Sequence, residues 1–127
     1  MTILYKVAPK SFTGDWLALT APAYGSVSPQ PGEKVFLWWS ETQKGTGLGG
    51  YGYCVSAHRV RRDWTSTIEP VVTDFSGFGK ADLAPFRHTD GPGPESTFAA
   101  KLYRHSLNKV VTLTREEEEF LDAVLNA

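Results

Sequence analysis

Cysteine is almost absent from this sequence, since Cys54 is the only one in 127 residues. A single thiol forms no intramolecular disulfide and builds no zinc site with several cysteine ligands. Long apolar runs are also absent, and none approaches the roughly 20 residues that cross a bilayer. The first residues lack a basic segment followed by an apolar one, so we expect no secretory signal, no membrane partner and a cytoplasmic location.

An excess of either charge is missing as well, because 13 Lys and Arg balance 14 Asp and Glu, for a formal net charge of −1. Non-specific binding along a nucleic acid backbone needs many cations, so this balance argues against it but leaves recognition of a single base open. Aromatic residues, by contrast, make up 13% of the chain and include four tryptophans. A hydrophobic share of 41% in a chain this short predicts a single domain over residues 1–127.

Short β-strand patterns dominate the chain. The strongest covers residues 35–40, an almost wholly apolar run typical of a central strand covered on both faces. Its predicted partner covers residues 51–57, after a polar, glycine-rich connection at 41–50 that reads as a hairpin loop with a bulge. Further strands are predicted at residues 3–7, 16–19 and 68–75, and residues 110–113 form a short apolar run ahead of the last helix.

Two helices are predicted in the second half of the chain. Ser96 is expected to cap the first, over residues 97–105, with an edge strand as the open alternative. Thr114 and Glu117 have capping-box spacing ahead of an apolar stripe, so the acidic run at 116–119 indicates a helix start rather than a ligand site. Residues 76–93 predict an irregular loop with one short helix.

Two segments resemble a known family. Residues 31–40 (PGEKVFLWWS) and 47–56 (GLGGYGYCVS) look like the core of PUA-like domains of the EVE, ASCH and YTH branches. In that core, a strand ending in an aromatic residue and serine precedes a glycine-containing strand. The resemblance covers about half of the chain and implies an α+β fold, a PUA-like partly open β-barrel of about five to six strands with flanking helices.

The same resemblance implies a ligand pocket bordered by the two core strands and the early tryptophan. The matching residues are aromatic apart from one serine: Trp16, Trp38, Trp39, Ser40, Tyr51 and Tyr53. Stacking on aromatic rings is worth roughly 1–3 kcal/mol per base, which gives such a pocket a physical basis. Side chains alternate along a strand, so Trp38 and Trp39 point to opposite sides and only one can face a given cavity.

Basic side chains lie close to the two core strands in sequence: Lys44, Arg59, Arg61 and Arg62. Arginine forks suit phosphate oxygens, so we interpret these residues as candidate contacts to a nucleic acid backbone. A solvated strand end is the equally open alternative.

These observations predict a small module that recognises a nucleobase, modified or not, or nucleic acid, with no cofactor, no metal and no catalytic residue. His88-Thr89-Asp90 matches no metal-ligand spacing, and Cys54 within a strand is expected to be buried. An ASCH-like hydrolase or nuclease, motivated by Lys34, Lys44 and the histidines, stays open as an alternative. A protein-interaction domain is a second alternative, and a homodimer is left open.

Overall fold

The computed structural model describes residues 2–7, 17–22, 30–41, 45–60, 63–86, 91, 93–104 and 110–127. Within them the chain is an α+β fold, with one mixed sheet and three α-helices. The strands are β1 (Thr2–Val7), β2 (Leu17–Pro22), β3 (Lys34–Trp39), β4 (Gly47–Val60), β5 (Asp63–Val72) and β6 (Val110–Leu113). The helices are α1 (Lys80–Leu83), α2 (Pro94–Ala99) and α3 (Arg115–Leu125).

The sheet has the strand order β2-β5-β4-β3-β1-β6. Strands β1 and β3 are parallel, and every other adjacent pair is antiparallel. Within the described part of the chain, no helix combines the length and the apolar character that a membrane crossing requires.

Strand β3 confirms the strongest sequence prediction. All of its residues from Val35 to Trp39 are buried. Phe36 and Trp38 belong to the core on the helix side, whereas Leu37 and Trp39 belong to the core on the opposite face. The sheet is therefore covered on both faces at this strand, and the two neighbouring tryptophans do point to opposite sides, as predicted.

Strand β4 is longer than predicted, because it begins at Gly47 inside the segment predicted as a connection. The glycines there permit close approach: a Cβ on Gly49 would lie 1.9 Å from Trp39 Nε1, and one on Gly50 would lie 1.9 Å from the Val72 carbonyl oxygen. Crowding between neighbouring strands thus explains why glycine, which usually weakens a strand, occupies these positions. The β3–β4 hairpin carries a register shift between Leu37 and Trp38, so the predicted bulge is present.

Two further strand boundaries differ from the predictions. Strand β2 runs through Pro22 rather than ending at residue 19, and it pairs with β5 at one side of the sheet, where a proline is tolerated. Strand β5 covers Asp63–Val72 rather than residues 68–75. It contains Pro70, which lies opposite Gly52 beside a register shift.

Helix α2 begins earlier than predicted. Its N-cap is Gly93 and its first residue is Pro94, whose fixed φ and missing N–H suit that position. Ser96 is therefore not the cap but a buried residue of the first turn. A π-helical turn, Ala100–Arg104, continues the helix, so the edge-strand alternative is wrong for residues 97–104.

Helix α3 confirms the predicted capping box. Thr114 Oγ1 accepts a hydrogen bond from Glu117 N at 3.2 Å, and Glu117 Oε1 accepts one from Thr114 N at 2.8 Å. The buried Glu117 carboxylate also accepts from Lys101 Nζ at 2.5 Å and from Thr97 Oγ1 at 2.8 Å. The acidic residue that starts α3 thus also anchors α2 and the turn that follows it.

The sheet is strongly coiled on the face away from the helices. Tyr5 Oη on β1 lies 3.3 Å from Ser66 Oγ on β5, although β3 and β4 separate these strands. Three strand spacings amount to about 14 Å in a flat sheet, a gap that these two side chains cannot span. This face is therefore concave. Among the described residues, β2 and β6 do not pair with each other, so the sheet is coiled but not closed there.

Candidate functional site

Trp38 lies in the core between the sheet and the helices. Its side chain is fully buried, and its ring meets Phe98 at 5.7 Å and Phe78 at 6.3 Å between centroids, in both cases edge to face. Its indole Nε1 donates to Glu41 Oε1 at 3.0 Å. The Trp38 side chain therefore packs behind Phe78 and Glu41, and protein groups contact the faces of its ring.

Trp39 lies on the concave face and is 8% exposed. Its Nε1 donates to the carbonyl oxygen of Thr73 at 3.3 Å, and its ring covers the backbone of Gly49. Both described tryptophans of β3 thus pack in the interior, on separate faces of the sheet.

The other predicted pocket residues occupy different environments. Ser40 is buried, and its carbonyl oxygen accepts from Gly45 N at 2.8 Å. Tyr51 is half-buried beside the helix-side core, and Tyr53 is 43% exposed next to it, with 6.1 Å between their ring centroids. The structure brings the two tyrosines together on β4 but separates them from Trp39.

Most of the predicted cations and the early tryptophan lie outside the described residues. These are Trp16, Lys44, Arg61 and Arg62; Arg59 belongs to β4, opposite Trp64, and only its backbone is described. The predicted contacts to a nucleic acid backbone therefore stay predictions. His88, Asp90 and His105 also lie outside that part of the chain, whereas His58 is exposed on β4.

Lys34 is held by several partners rather than pointing into a cleft. Its Nζ lies 2.5 Å from Asp122 Oδ1 on α3 and sits over the rings of Tyr51 and Phe36 at 4.4 and 4.9 Å. This amine ties α3 to the sheet. Cys54 is buried as predicted, and its thiol pKa is raised chiefly by burial.

An open depression of about 350 Å³ lies in front of Trp38, at the end of β3. One wall is formed by Glu41 with residues 45–46, and the other by residues 77–82, which include the half-buried Phe78. Phe78 packs against Trp38 on the side that faces the core. Trp38, which was predicted to line a pocket, is therefore separated from the depression by Phe78. Sites for small ligands typically start near 300 Å³ and combine an apolar wall with a few polar groups.

Close backbone packing fixes the shape of the depression. A Cβ on Gly47, whose φ is +95°, would lie 2.6 Å from both Gly79 Cα and the carbonyl oxygen of Phe78. A Cβ on Gly79 would lie 2.8 Å from the carbonyl oxygen of Thr46. Leu48 N also donates to the Phe78 carbonyl at 3.0 Å. The two walls are therefore held together by main-chain contacts that only glycine permits.

Glu41 joins the two walls of the depression. Its Oε1 accepts from Trp38 Nε1, and its Oε2 accepts from Lys80 N at 2.6 Å. The half-buried Lys6 on β1 is close enough to interact with the charges of Glu41 and Lys80. Burial lowers the pKa of Lys6, the Glu41 carboxylate opposes that shift, and the Lys80 charge lowers the pKa further. Glu41 therefore has a structural role and also places negative charge at this surface.

Sequence reasoning did not find Glu41, Phe78, Lys80 or Asp82 as site residues. A local indication existed, because Glu41 directly follows the aromatic strand end and glycines flank Phe78. What brings them together is the pairing of segments 39 residues apart, which no local pattern reveals. Among the residues that the structure describes, no group of three or more His, Cys, Asp or Glu could hold a metal ion.

Comparisons with protein-family models, with curated proteins and with solved structures found no match. A function for this protein is therefore inferred from the geometry of the chain.

Proposed function

We propose that this protein is a small binding domain that holds a nucleobase, or a flat heterocycle of similar size, in the depression beside Glu41 and Phe78. The observation that carries the proposal is the depression itself, which is shaped by glycine backbones and is lined by one aromatic residue, Phe78, and by charged residues that include Glu41 and Asp82. A planar guest would contact the Phe78 ring, which Trp38 supports from behind.

We further propose that the coiled sheet is the described part of a PUA-like, partly open β-barrel. The contact between Tyr5 and Ser66 supports this, because it requires the sheet to curve through four strands. The central pair of β3 and the glycine-containing β4 agrees with the family's core as well. In this proposal a base from a nucleic acid, RNA or DNA, enters the depression. Lys44, which precedes Gly45 in the sequence, stays the predicted contact to its phosphate.

The test is a titration of ¹⁵N-labelled protein with ribonucleosides and short oligonucleotides, followed by amide and indole NMR signals. We expect shifts at residues 77–82 and at the Trp38 Nε1–H, which is bonded to Glu41 at the edge of the site. Unchanged signals at millimolar ligand, or shifts confined to other surfaces, would rule out the proposed site.

A matched pair of glycine variants sharpens this titration. Gly79→Ala places a methyl group 2.8 Å from the Thr46 carbonyl and 3.4 Å from Glu41 Oε2, so it should narrow the depression and weaken binding about tenfold or more. Gly93→Ala is the control, because its added methyl meets only the end of the Glu95 side chain, at 3.1 Å. The control should bind as the wild type does. Equal ligand affinity of the two variants would contradict the proposed location of the binding site.

A further inference from the structure

We propose that the depression selects heterocycles that present exocyclic N–H donors, such as cytosine and adenine, over uracil-type bases that present a carbonyl at the same position. The inference rests on the proposed function and specifies which edge of the base the site reads. It follows from which hydrogen-bonding groups the protein has already used.

Four main-chain donors around the depression are used within the protein. Gly45 N donates to the Ser40 carbonyl at 2.8 Å, and Gly79 N donates to Asp82 Oδ2 at 2.8 Å. Lys80 N donates to Glu41 Oε2, and Asp82 N donates to the Gly79 carbonyl at 3.0 Å. These N–H groups are therefore not available to a phosphate or to a ligand carbonyl, although glycine-rich walls resemble an anion cradle.

The acceptors around the depression remain in excess. A carboxylate has about four lone-pair sites and no donor, and two carboxylates, Glu41 and Asp82, line the depression. Asp82 is exposed and uses Oδ2 for the Gly79 amide. Glu41 receives donors at both oxygens, and only a carboxylate can satisfy two facing N–H groups in this way. The site thus offers a ligand acceptors and negative charge.

These acceptors discriminate between base edges. Carboxylates accept from the N4 amino group of cytosine, whereas a carbonyl at that position meets like partial charge. Of the described side chains that line the depression, only Lys80 carries a positive charge, and it is exposed. Its position suits a phosphate or sugar at the rim better than the edge of a base held against Phe78. We therefore assign the base edge to Asp82, with Glu41 adding negative potential.

The experiment compares three nucleosides of similar shape: cytidine, N4,N4-dimethylcytidine and uridine. Dissociation constants come from the NMR titration, with shifts at residues 77–82 as the readout. We expect cytidine to bind about tenfold more tightly than the other two, since a hydrogen bond to a charged group is at stake. Equal binding of cytidine and its dimethyl derivative, or tighter binding of uridine, would overturn the inference.

Variants test which residue reads the edge. Asp82→Asn replaces an exposed carboxylate by an amide, so the fold should persist and the ratio of cytidine to uridine affinity should fall toward one. Glu41→Gln should reduce the ratio as well, but it also removes a bond to Trp38 or Lys80, so its fold is checked by circular dichroism. Glu119→Gln, which changes an exposed carboxylate outside the depression in the same way, is the control and should keep the ratio. An unchanged ratio in Asp82→Asn would refute the assignment.

Failure of the inference and failure of the proposed function give different results. If no nucleoside perturbs residues 77–82, the depression is not a base site and both fail. If nucleosides bind there without regard to the amino group, the proposed function stands and only the edge preference is overturned.

Discussion

The two faces of the sheet bury apolar side chains by different means. On the helix side, rings from β3, α2, α3 and the segment between β5 and α1 form an aromatic cluster of Trp38, Phe78, Phe98 and Phe120. On the concave side, mainly aliphatic residues meet because the sheet bends over them, and Tyr5 reaches Ser66. Among the described residues, one face is covered by helices, and the other is covered by the curvature of the strands themselves.

Trp38 and Trp39 show what this difference means for function. They are consecutive, yet Trp38 Nε1 bonds to the side chain of Glu41, whereas Trp39 Nε1 bonds to the main-chain carbonyl of Thr73. The first bond ends at a surface depression with charged groups. The second ends at the main chain directly after β5. The helix side therefore carries the candidate site, and the concave side supports the fold.

The largest expected effect tests whether both faces of the sheet pack as apolar cores that exclude water. Ile3 and Leu4 are consecutive on β1, fully buried, and packed on opposite faces. Leu4→Ala and Ile3→Ala should each lower the free energy of unfolding by about 2–5 kcal/mol, through lost burial and the cavity left behind. Urea unfolding measures both. A cost below about 1 kcal/mol for Ile3→Ala alone would mean that the concave face is a hydrated cavity, and the comparison would fail.

A smaller effect is expected at the carboxylate that joins the helices. Burial raises the pKa of Glu117, but hydrogen bonds from Lys101, Thr114 and Thr97 outweigh burial, so its pKa lies below the ordinary value of 4.5. Glu117→Gln should lower the free energy of unfolding by about 1.5–3 kcal/mol at neutral pH. Glu119→Gln, which breaks only an exposed pair with Arg115, should cost about 0.2–0.5 kcal/mol.

The pH dependence of the Glu117 variant follows from the sign of the pKa shift. A group whose pKa is lower in the folded state stabilises the fold fully above its unfolded pKa and loses that contribution as the pH falls through the folded value. The difference between the wild type and Glu117→Gln should therefore be constant near neutrality and shrink below about pH 4.5. Denaturant unfolding across this range measures it. A difference that grows in acid would contradict the lowered pKa.

The smallest expected effect tests the coiling of the sheet. Tyr5→Phe removes the hydroxyl that meets Ser66, and Ser66→Ala removes its partner, each at about 0.5–1.5 kcal/mol. A double-mutant cycle should give a coupling energy of about 0.5 kcal/mol or more, because residues in contact are not additive. Additive effects would mean that β1 and β5 do not meet across the concave face.

Local patterns predicted the elements whose residues depend on their immediate neighbours. The apolar run of β3 and the Thr114–Glu117 capping box belong to this class, and both are confirmed. The start of α2 differs from the prediction: Ser96 has the side chain of a cap, but the helix begins at Pro94, whose fixed φ suits a first helical position.

The remaining errors come from contacts between distant segments. The glycines at 47, 49 and 50 read as a connection because glycine weakens isolated strands, yet Trp39 and Val72 leave room for nothing larger at two of these positions. The same limit applies to the site. The sequence located the aromatic end of β3 correctly. However, Glu41 contacts Lys80 only in the folded chain, and Phe78 then lies between Trp38 and the depression.

The position of β1 has a consequence for how the chain folds. This strand lies between β3 and β6, and Thr2 Oγ1 donates to Glu118 Oε2 on α3, 116 residues away, at 2.7 Å. During synthesis, β1 can therefore pair with β6 only after nearly all of the described chain has left the ribosome. Pairings this distant in sequence form slowly. Until then β1 exposes an open edge, and a chaperone that shields it would raise the yield of folded protein.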